Sequence, residues 1–249
     1  MNARFSLREV TGRGRHCTVW RACDAETRED VALKVGLHGA LDVEWDVLSR
    51  ARHPSVVRGI AQGRWDGGRD FLAMEFASRG VCRPAPQADH EVESALDAAT
   101  AALQAIHAAG FVHRDVKPTH FLRRADGSWC LADLGNACRV GVRGPAATVI
   151  GTPRYAAPEL TQGAPAAPAM DIYSLGATLH EWLTGKPVFQ GETMIEQYSQ
   201  HARARPPDLP APLARWQALV HAILAKDASQ RPSAGELAAR MPSLSGELA

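Results

Sequence analysis

The sequence pattern changes from strand-like to helix-like at a Gly- and Pro-containing segment, residues 78–87. Before this segment, short β-prone runs alternate with clusters of Gly, Asp and Arg, which is typical of a small sheet with tight connections. After it, Ala- and Leu-rich stretches carry apolar residues at helical spacing, as helices packed around a core do. We therefore predict an α+β fold of two lobes, with a small β-rich N-lobe and a larger helical C-lobe.

The predicted elements follow from this change of pattern. In the N-lobe the sequence predicts a helix over residues 40–51 and strands over 19–23, 31–35 and 71–76. In the C-lobe it predicts helices over residues 91–109, 172–184, 193–204, 213–225 and 234–240. The first of these meets Gly110, a residue type that ends many helices. We expect one domain over residues 1–249, divided into an N-lobe at 1–77, a hinge and linker at 78–87, a C-lobe at 88–241 and a tail at 242–249.

The charges of the chain are balanced, with 28 Lys and Arg against 27 Asp and Glu and a formal net charge of +1. This balance disfavours a polyanion-binding module, and we expect no nucleic-acid partner. No apolar run approaches the ~20 residues that span a bilayer, and residues 1–8 lack the apolar stretch of a signal peptide. Five cysteines without a C-x-x-C pair argue against a disulfide framework or a zinc site. We expect a cytoplasmic protein with no membrane partner.

Two features of the N-lobe suit the binding of phosphate groups. Gly12 and Gly14 precede the strand that holds Val19, and glycines let backbone N–H groups approach phosphate oxygens that a Cβ would keep away. Lys34 lies in the apolar run 31–35, where its charge costs desolvation unless it meets a phosphate or a carboxylate. Taken singly, a Gly-containing hairpin and a lysine that reaches out to solvent explain these features as well.

A series of short motifs occurs further along the chain. They are HRDVKPTH at residues 113–120, DLG at 133–135, GTPRYAAPE at 151–159, DIYSLG at 171–176 and RP at 231–232. Turns and helix starts explain each motif alone, but they do not explain all of them in this order and at this spacing. Together with the glycines and Lys34, the series resembles the protein kinase catalytic domain, specifically its Ser/Thr branch, from about residue 5 to residue 240.

The resemblance implies that ATP binds between the lobes. By similarity, Gly12 and Gly14 cover its phosphates, and Lys34 holds the α- and β-phosphates. Met74 is implied to lie at the back of the adenine pocket. The other residues implied for adenine are Glu75 and Ala77, whose backbone groups read its edge, and Val19, Ala32 and Leu122, whose side chains sandwich its ring.

The carboxylate partner of Lys34 is expected on the N-lobe helix, where Asp42, Glu44 and Asp46 compete for this role. We prefer Glu44, because it faces the same side of the helix as Leu48, whereas both aspartates point elsewhere. Only ten residues separate Lys34 from Glu44, fewer than is usual in the family. The helix must therefore be short and held close to the strand of Lys34.

The resemblance also implies the catalytic groups. Asp115 resembles the residue that orients the substrate hydroxyl and accepts its proton, and Lys117 resembles the residue that neutralises charge on the γ-phosphate. Thr152 resembles the threonine that contacts both of them in Ser/Thr kinases. Asp133 is implied to bind a Mg²⁺ ion that bridges the β- and γ-phosphates. The implied reaction transfers the γ-phosphate of ATP to Ser or Thr hydroxyls of protein substrates, with autophosphorylation included.

Three further motif residues are implied to support the site without taking part in the reaction. Glu159 and Arg231 resemble a buried structural ion pair. Asp171 resembles the residue that braces the loop around Arg114. Because removal of one partner leaves a buried charge uncompensated, we expect such residues to matter for stability.

The chain departs from the family pattern at His120, where the family has an asparagine that binds a second metal ion. Mg²⁺ prefers oxygen ligands, and imidazole suits Zn, Cu, Fe or Ni better. Three outcomes are open: less efficient transfer with Asp133 as the main metal ligand, use of another metal such as Mn²⁺, or a pseudokinase that binds nucleotide or a partner without efficient transfer. A packing role for His120 is compatible with each. Because Lys34, Asp115, Lys117 and Asp133 all remain, we favour activity.

The motifs also bear on a third class of function, the transfer of phosphate to small molecules. Small-molecule phosphotransferases of the aminoglycoside or choline type share the catalytic aspartate and the metal-binding aspartate. They lack the segment that resembles residues 151–159 and that shapes a ledge for peptide substrates. The presence of this segment favours a protein substrate.

Regulation is expected to involve the segment between Gly135 and Gly151. Arg114 can pair with a phosphorylated residue there, since a phosphate orders such a loop through charge-assisted hydrogen bonds. Thr148 is the only hydroxyl residue between the two glycines, and we predict that it is an autophosphorylation site; the alternative is an unmodified threonine. The catalytic module fills the chain, so we expect any signal to arrive through a separate regulatory partner protein.

Overall fold

The structure, a computed structural model, describes residues 4–14, 17–82, 88–143 and 151–245. It has an α+β fold of two lobes, as the sequence predicts. The N-lobe elements are β1 Phe5–Arg13, β2 Cys17–Asp24, β3 Asp30–Leu37, α1 Asp42–Arg50, β4 Gly59–Trp65 and β5 Arg69–Glu75. The C-lobe elements are α2 Asp89–Ala108, β6 Phe111–Val112, β7 Phe121–Arg123, β8 Trp129–Leu131, β9 Cys138–Arg139, α3 Pro158–Thr161, α4 Pro168–Thr184, α5 Met194–Arg203, α6 Gln217–Ile223 and α7 Ala234–Ser245.

The N-lobe sheet has the strand order β1-β2-β3-β5-β4, and neighbouring strands are antiparallel. Side chains alternate between the two faces of a strand. One face of β3 packs into the N-lobe, and the other faces the cleft. Val31, Leu33 and Val35 pack into the apolar cluster of the N-lobe. Ala32 and Lys34 therefore face the other side, where they line the cleft between the lobes.

Two strands of this sheet, β1 and β4, were not predicted as strands. Most residues of β1 are exposed, so the strand lacks the apolar alternation that a half-buried strand shows. β4 contains Gly59 and Gly63, which weaken strand propensity. A Cβ on Gly63 would lie 2.8 Å from Cε1 of Phe71, so the bare backbone allows β4 to lie close to β5. Hydrogen bonding to the adjacent strands β2 and β5, not local propensity, makes both segments strands.

The C-lobe helices differ from their predicted bounds mainly at their ends. α2 stops before Gly110, whose φ is +82°, as the glycine predicts. α4 begins at Pro168, four residues before the predicted start, because proline is well tolerated in the first turn of a helix. The predicted helix 213–225 is instead a 3₁₀ helix, Ala211–Trp216, followed by α6, and α7 extends to Ser245 into the predicted tail. None of the described helices is both long enough and apolar enough to span a membrane.

The two lobes share one buried apolar core. Leu72 and Met74 of β5 belong to the same cluster as buried residues of α2 and α4. After β5, the predicted hinge and linker runs beside β7, and the backbone N–H of Cys82 donates to the carbonyl of Phe121 at 2.8 Å. Residues 83–87 of the linker lie outside the described residues. The joined lobes leave a cleft between the N-lobe sheet and the C-lobe strands β7 and β8, into which residues of both lobes project.

Candidate active site

Lys34 is the charged centre of the cleft. Its Nζ donates hydrogen bonds to Glu44 Oε2 at 2.7 Å and to Asp133 Oδ1 at 2.8 Å. Burial alone lowers the pKa of Lys34, but the attraction of the two carboxylates outweighs it and raises this pKa, so the ammonium stays charged. Glu44 is fully buried, whereas Asp46 pairs with Arg50 and Arg139 outside the cleft. The short helix α1 thus carries the partner of Lys34.

The carboxylate of Asp133 lies between the ammonium of Lys34 and the imidazole of His120. Asp133 has a φ of +59°, a left-handed conformation that Asp adopts more readily than most residues, and buried Leu134 follows it. Its Oδ1 accepts from Lys34 Nζ, and its Oδ2 lies 3.0 Å from His120 Nε2. Burial raises the pKa of Asp133, but the hydrogen bond with His120 and the charge of Lys34 outweigh burial and lower it well below its usual range. Asp133 is therefore ionised and able to bind a cation.

Three polar side chains form a closed triangle of hydrogen bonds in the C-lobe. Thr152 Oγ1 donates to Asp115 Oδ1 at 2.7 Å. Lys117 Nζ donates to Asp115 Oδ2 at 2.8 Å and to Thr152 Oγ1 at 2.9 Å. Asp115 is buried, so these bonds hold its carboxylate in one orientation. A carboxylate held beside an ammonium suits a group that takes a proton from a hydroxyl next to a phosphate.

Gly151 allows the chain to bring Thr152 to this triangle. Its φ is +96°, and a Cβ at this position would lie 2.6 Å from the carbonyl oxygen of Arg114. Any other residue would therefore clash with the loop that carries Asp115. The Arg114 side chain donates from Nε to the carbonyl oxygen of Asn136 at 2.8 Å. This contact links the HRD loop to the segment after Asp133.

Two groups of charges, centred on the buried residues Asp171 and Arg231, connect the C-lobe motifs. The Asp171 carboxylate accepts hydrogen bonds from the backbone N–H groups of His113 and Arg114, both at 2.8 Å. Arg231 Nη2 donates to Glu159 Oε2 at 2.9 Å, and Arg231 also donates to the Ala225 carbonyl oxygen at 2.7 Å. These contacts join the loop and the GTPRYAAPE segment to α4 and to the segment before α7.

His120 lies between the two aspartates of the site. Its Nδ1 is 2.9 Å from the backbone carbonyl oxygen of Asp115; since this oxygen only accepts, Nδ1 carries a hydrogen there. Its Nε2 faces Asp133 Oδ2. Ligand atoms of Asp115, His120 and Asp133 all lie within 4.8 Å of one another. The carboxylates suit Mg²⁺ or Mn²⁺, and the imidazole nitrogen suits a transition metal, so the donor set fits a divalent cation.

An apolar pocket of about 480 Å³ extends from the charged centre along the hinge. The residues predicted to bind ATP all line it, namely Gly12, Gly14, Val19, Ala32, Lys34, Glu44, Met74, Glu75, Ala77, Leu122 and Asp133. Ala32 and Met74 are opposed across β3 and β5, and Val19 pairs with Lys34 across β2 and β3. A slot with apolar walls and a charged end suits a flat, apolar ring that carries phosphates.

The side chain of Glu75 has a role that the sequence did not indicate. Both of its oxygens accept from Arg124, at 2.7 and 3.0 Å, and Oε1 also accepts from the backbone N–H of Arg58 at 2.7 Å. The end of β5, just before the hinge and linker, is thereby tied to the turn between β7 and β8. Arg124 lies in a turn and outside every motif. Only the tertiary structure shows that it contacts Glu75.

Asn136 is a second residue that the motifs missed. Its Nδ2 lies 3.3 Å from Asp115 Oδ2, so it adds a donor on the aspartate that already contacts Lys117 and Thr152. The one sequence signal was its place directly after the DLG motif. Thr148, the predicted autophosphorylation site, lies outside the described residues.

Comparisons with known proteins agree with this geometry. The family described as "Protein kinase domain" matches residues 5–241 of the chain. The serine/threonine-protein kinase PkaA of Streptomyces coelicolor is 33% identical, over 96% of this chain and 49% of the relative. PknK of Mycobacterium tuberculosis is 33% identical over 94% of this chain and 23% of the relative, and PknA of the same species is 30% identical over 94% and 59%. The chain thus spans less than two thirds of the length of each of these relatives.

Proposed function

The chain belongs to the protein kinase family, and from this premise we propose that it transfers the γ-phosphate of ATP to Ser and Thr hydroxyls of protein substrates. The triangle of Asp115, Lys117 and Thr152 carries this proposal, because a carboxylate oxygen of Asp115 lies within 4.8 Å of one of Asp133, the partner of Lys34. The names of the relatives PkaA, PknK and PknA support the same activity. ATP is an intracellular substrate, so the proposed place of action is the cytoplasm.

In the proposed binding mode, the adenine ring enters the apolar slot between Ala32 and Leu122, with Met74 at its back. The backbone of Glu75 and Ala77 reads the adenine edge, and Gly12 and Gly14 let the β1–β2 connection approach the phosphates without a Cβ in the way. These assignments rest on the shared lining of one pocket.

The proposed role of Lys34 is to bind the α- and β-phosphates. Glu44 accepts one of its protons at 2.7 Å and holds the ammonium in the cleft, so the phosphates meet a charge that is already oriented. Since Glu44 is fully buried, the position of α1 controls whether Lys34 is held in place.

The proposed general base is Asp115. It orients the incoming hydroxyl and accepts its proton as the γ-phosphoryl group is transferred. Lys117 neutralises the charge that develops beside it, and Thr152 keeps both in line through its two hydrogen bonds. A divalent ion bound at Asp133 would neutralise the β- and γ-phosphate oxygens.

The proposed metal at Asp133 is Mg²⁺, and His120 favours Mn²⁺ at the second position. Asp133 offers oxygens, which Mg²⁺ prefers, but the position beside it offers the imidazole Nε2 of His120. Mn²⁺ accepts oxygen ligands and lies with the transition metals that bind nitrogen. We therefore expect transfer with both ions and a larger rate with Mn²⁺.

The same histidine is the observation that favours a second candidate, a nucleotide-binding protein without efficient transfer. Its Nε2 lies 3.0 Å from Asp133 Oδ2, where it competes with a metal for that oxygen. The intact positions of Lys34, Asp115 and Lys117 support the kinase proposal over this alternative.

The test is an assay of ³²P transfer from γ-labelled ATP to the chain itself and to a generic basic protein, with Mg²⁺ or Mn²⁺. Asp115→Asn serves as the matched inactive control, and a thermal shift with ATP reports binding. Labelling that Asp115→Asn removes supports the proposal. Binding without labelling in either metal overturns it in favour of the second candidate.

One part of the proposal concerns how the activity is regulated. We propose that Thr148 is autophosphorylated and pairs with Arg114, and that a separate regulatory protein delivers the signal. Mass spectrometry after incubation with ATP tests the first point, and an unmodified Thr148 contradicts it.

The lobe limits proposed from the sequence, 1–77 and 88–241, can be tested by limited proteolysis, which should cut first within the linker 78–87.

A further inference from the structure

A second pocket lies in the C-lobe beside the GTPRYAAPE segment. Its volume is about 430 Å³, and it lies between the 3₁₀ turn Pro153–Tyr155 and the chain that leads into α5. Its lining is Arg154, Lys186, Pro187, Phe189, Gln190, Gly191 and Glu192. Arg154 belongs to the GTPRYAAPE motif, but the other lining residues belong to none of the motifs discussed above.

Buried groups hold the backbone of both cationic residues of the pocket in place. The Arg154 carbonyl oxygen lies 2.8 Å from Nε2 of His201, which is fully buried. The Lys186 carbonyl oxygen accepts from Thr184 Oγ1 at 3.0 Å and lies 3.0 Å from Nδ1 of buried His180. Buried Phe189 closes the base of the pocket. The backbone that carries the two cations is therefore held in place.

The positive charges of Arg154 and Lys186 outnumber the acids in the pocket lining. Within the described ranges, neither side chain takes part in an ion pair, although Arg124, Arg215 and Arg231 each do. Both residues are exposed. Glu192 is the one acid in the lining, and the ammonium of Lys226, 4.8 Å from the centre of the Phe189 ring, adds a further positive charge below. A pocket with excess positive charge favours an anionic occupant.

The pocket is close to the point of phosphate transfer along the chain. Thr152 Oγ1 contacts Asp115 at 2.7 Å, and Arg154 follows Thr152 by two residues, which is at most about 7 Å of extended chain. A peptide whose hydroxyl reaches Asp115 can therefore place a side chain one to three residues away in this pocket.

We propose that Arg154 and Lys186 select protein substrates that carry a carboxylate side chain within three residues of the acceptor Ser or Thr. The inference rests on the proposed kinase function and names its substrate class. The partner is an acidic peptide segment, because the pocket offers two exposed cations without ion pairs and an apolar base. Residues 149–151 after Thr148 contain no acid, so autophosphorylation in trans should be less efficient than transfer to acidic substrates.

The experiment compares peptides that are identical except for Glu, Gln or Lys at the three positions before or the three positions after the acceptor serine. It measures kcat/KM for transfer, and peptide affinity by fluorescence anisotropy in the presence of ADP. The enzymes are the wild type, Arg154→Gln, Lys186→Gln and the reversal Lys186→Glu. Arg52→Gln, which removes an exposed cation of the N-lobe, is the matched control.

We expect the wild type to prefer the Glu peptide over the Gln peptide by roughly two- to fivefold for each cation engaged. Arg154→Gln and Lys186→Gln should reduce this ratio, Lys186→Glu should move preference toward the Lys peptide, and Arg52→Gln should retain the wild-type ratio. Equal use of Glu and Gln peptides, or an unchanged ratio in both pocket variants, would overturn the inference. If no peptide is phosphorylated, the kinase proposal fails, and the anisotropy ratios still decide whether the pocket binds acidic segments.

Discussion

The imidazole Nε2 of His120 lies 3.0 Å from the carboxylate Oδ2 of Asp133, within the set of atoms that can hold a metal ion. Nδ1 of the same ring meets the backbone carbonyl oxygen of Asp115. The ring therefore spans the two aspartates that flank the site of transfer. In the proposed metal site its nitrogen would take the place of an oxygen ligand, and the proposed preference for Mn²⁺ depends on this exchange.

The replacement His120→Asn should raise kcat with Mg²⁺ by roughly tenfold. The amide oxygen is a ligand that Mg²⁺ prefers, and the amide N–H₂ can still donate to the Asp115 carbonyl oxygen. The gain with Mn²⁺ should be smaller, so the ratio of Mn²⁺ to Mg²⁺ rates should fall. Steady-state kinetics in both metals measure this ratio. A variant that folds normally but is no faster with Mg²⁺ would contradict the metal argument.

The replacement Lys34→Met should destabilise the protein by about 3 kcal/mol. It leaves the carboxylate of Glu44 without its partner in a fully buried position. The double replacement Lys34→Met with Glu44→Met should recover most of this loss, since an apolar pair can replace a buried ion pair. Both variants should lack transfer activity. Urea unfolding checks the stabilities, and an equally unstable double variant would show that the carboxylate is not the cause.

The replacement Gly151→Ala should lower kcat at least tenfold by moving Thr152 away from Asp115. A Cβ would lie 2.6 Å from the Arg114 carbonyl oxygen, and the left-handed backbone adds strain of about 1–2 kcal/mol. Gly163→Ala is the matched control, because Gly163 also has a positive φ of +69° but has no atom within 4 Å of the added Cβ. Its strain should be similar and its kcat unchanged. Equal kcat in the two variants would argue against the steric explanation.

The stability of the protein should fall between pH 7 and pH 5 in part because of His201. Burial lowers the pKa of His201 to about 4, and this effect outweighs the opposing contact with the Arg154 carbonyl oxygen. Unfolding frees the ring to take up a proton at its usual pKa of about 6.5, so the unfolded state binds more protons within this window. The loss should be about 2 kcal/mol by pH 5.

The control for this prediction is His201→Gln, which removes the titrating ring. Its free energy of unfolding should start lower at pH 7 but should decline less between pH 7 and pH 5 than that of the wild type. Urea titrations at the two pH values give both slopes. Parallel slopes would assign the pH dependence to other groups.

Much of the site could be predicted from sequence because its residues belong to short local patterns. The alternation of side chains along β3 places Lys34 on the same side as Ala32, opposite Val31 and Leu33. Helical spacing places Glu44 on the buried face of α1. Such patterns depend on residues a few positions apart, where local geometry decides which side chains share a face.

Other features depended on segments far apart in the chain. Glu75 and Arg124 are 49 residues apart, as their hydrogen bond records, and neither lies in a pattern that points to the other. The strands β1 and β4 are a different case: each pairs with the next strand in the chain, β2 or β5, and its residues lack the apolar alternation that would indicate a strand.

The sequence by itself determined the two-lobed α+β fold, the order of the motifs and the face of α1 on which Glu44 lies. Only the tertiary structure decided that Asn136 contacts Asp115, that Arg124 ties down the end of β5, and that Arg154 and Lys186 share one pocket. The physical reason is that periodicity and propensity act along a few neighbouring residues. Contacts between distant residues arise only when burial of the shared apolar core brings their segments together.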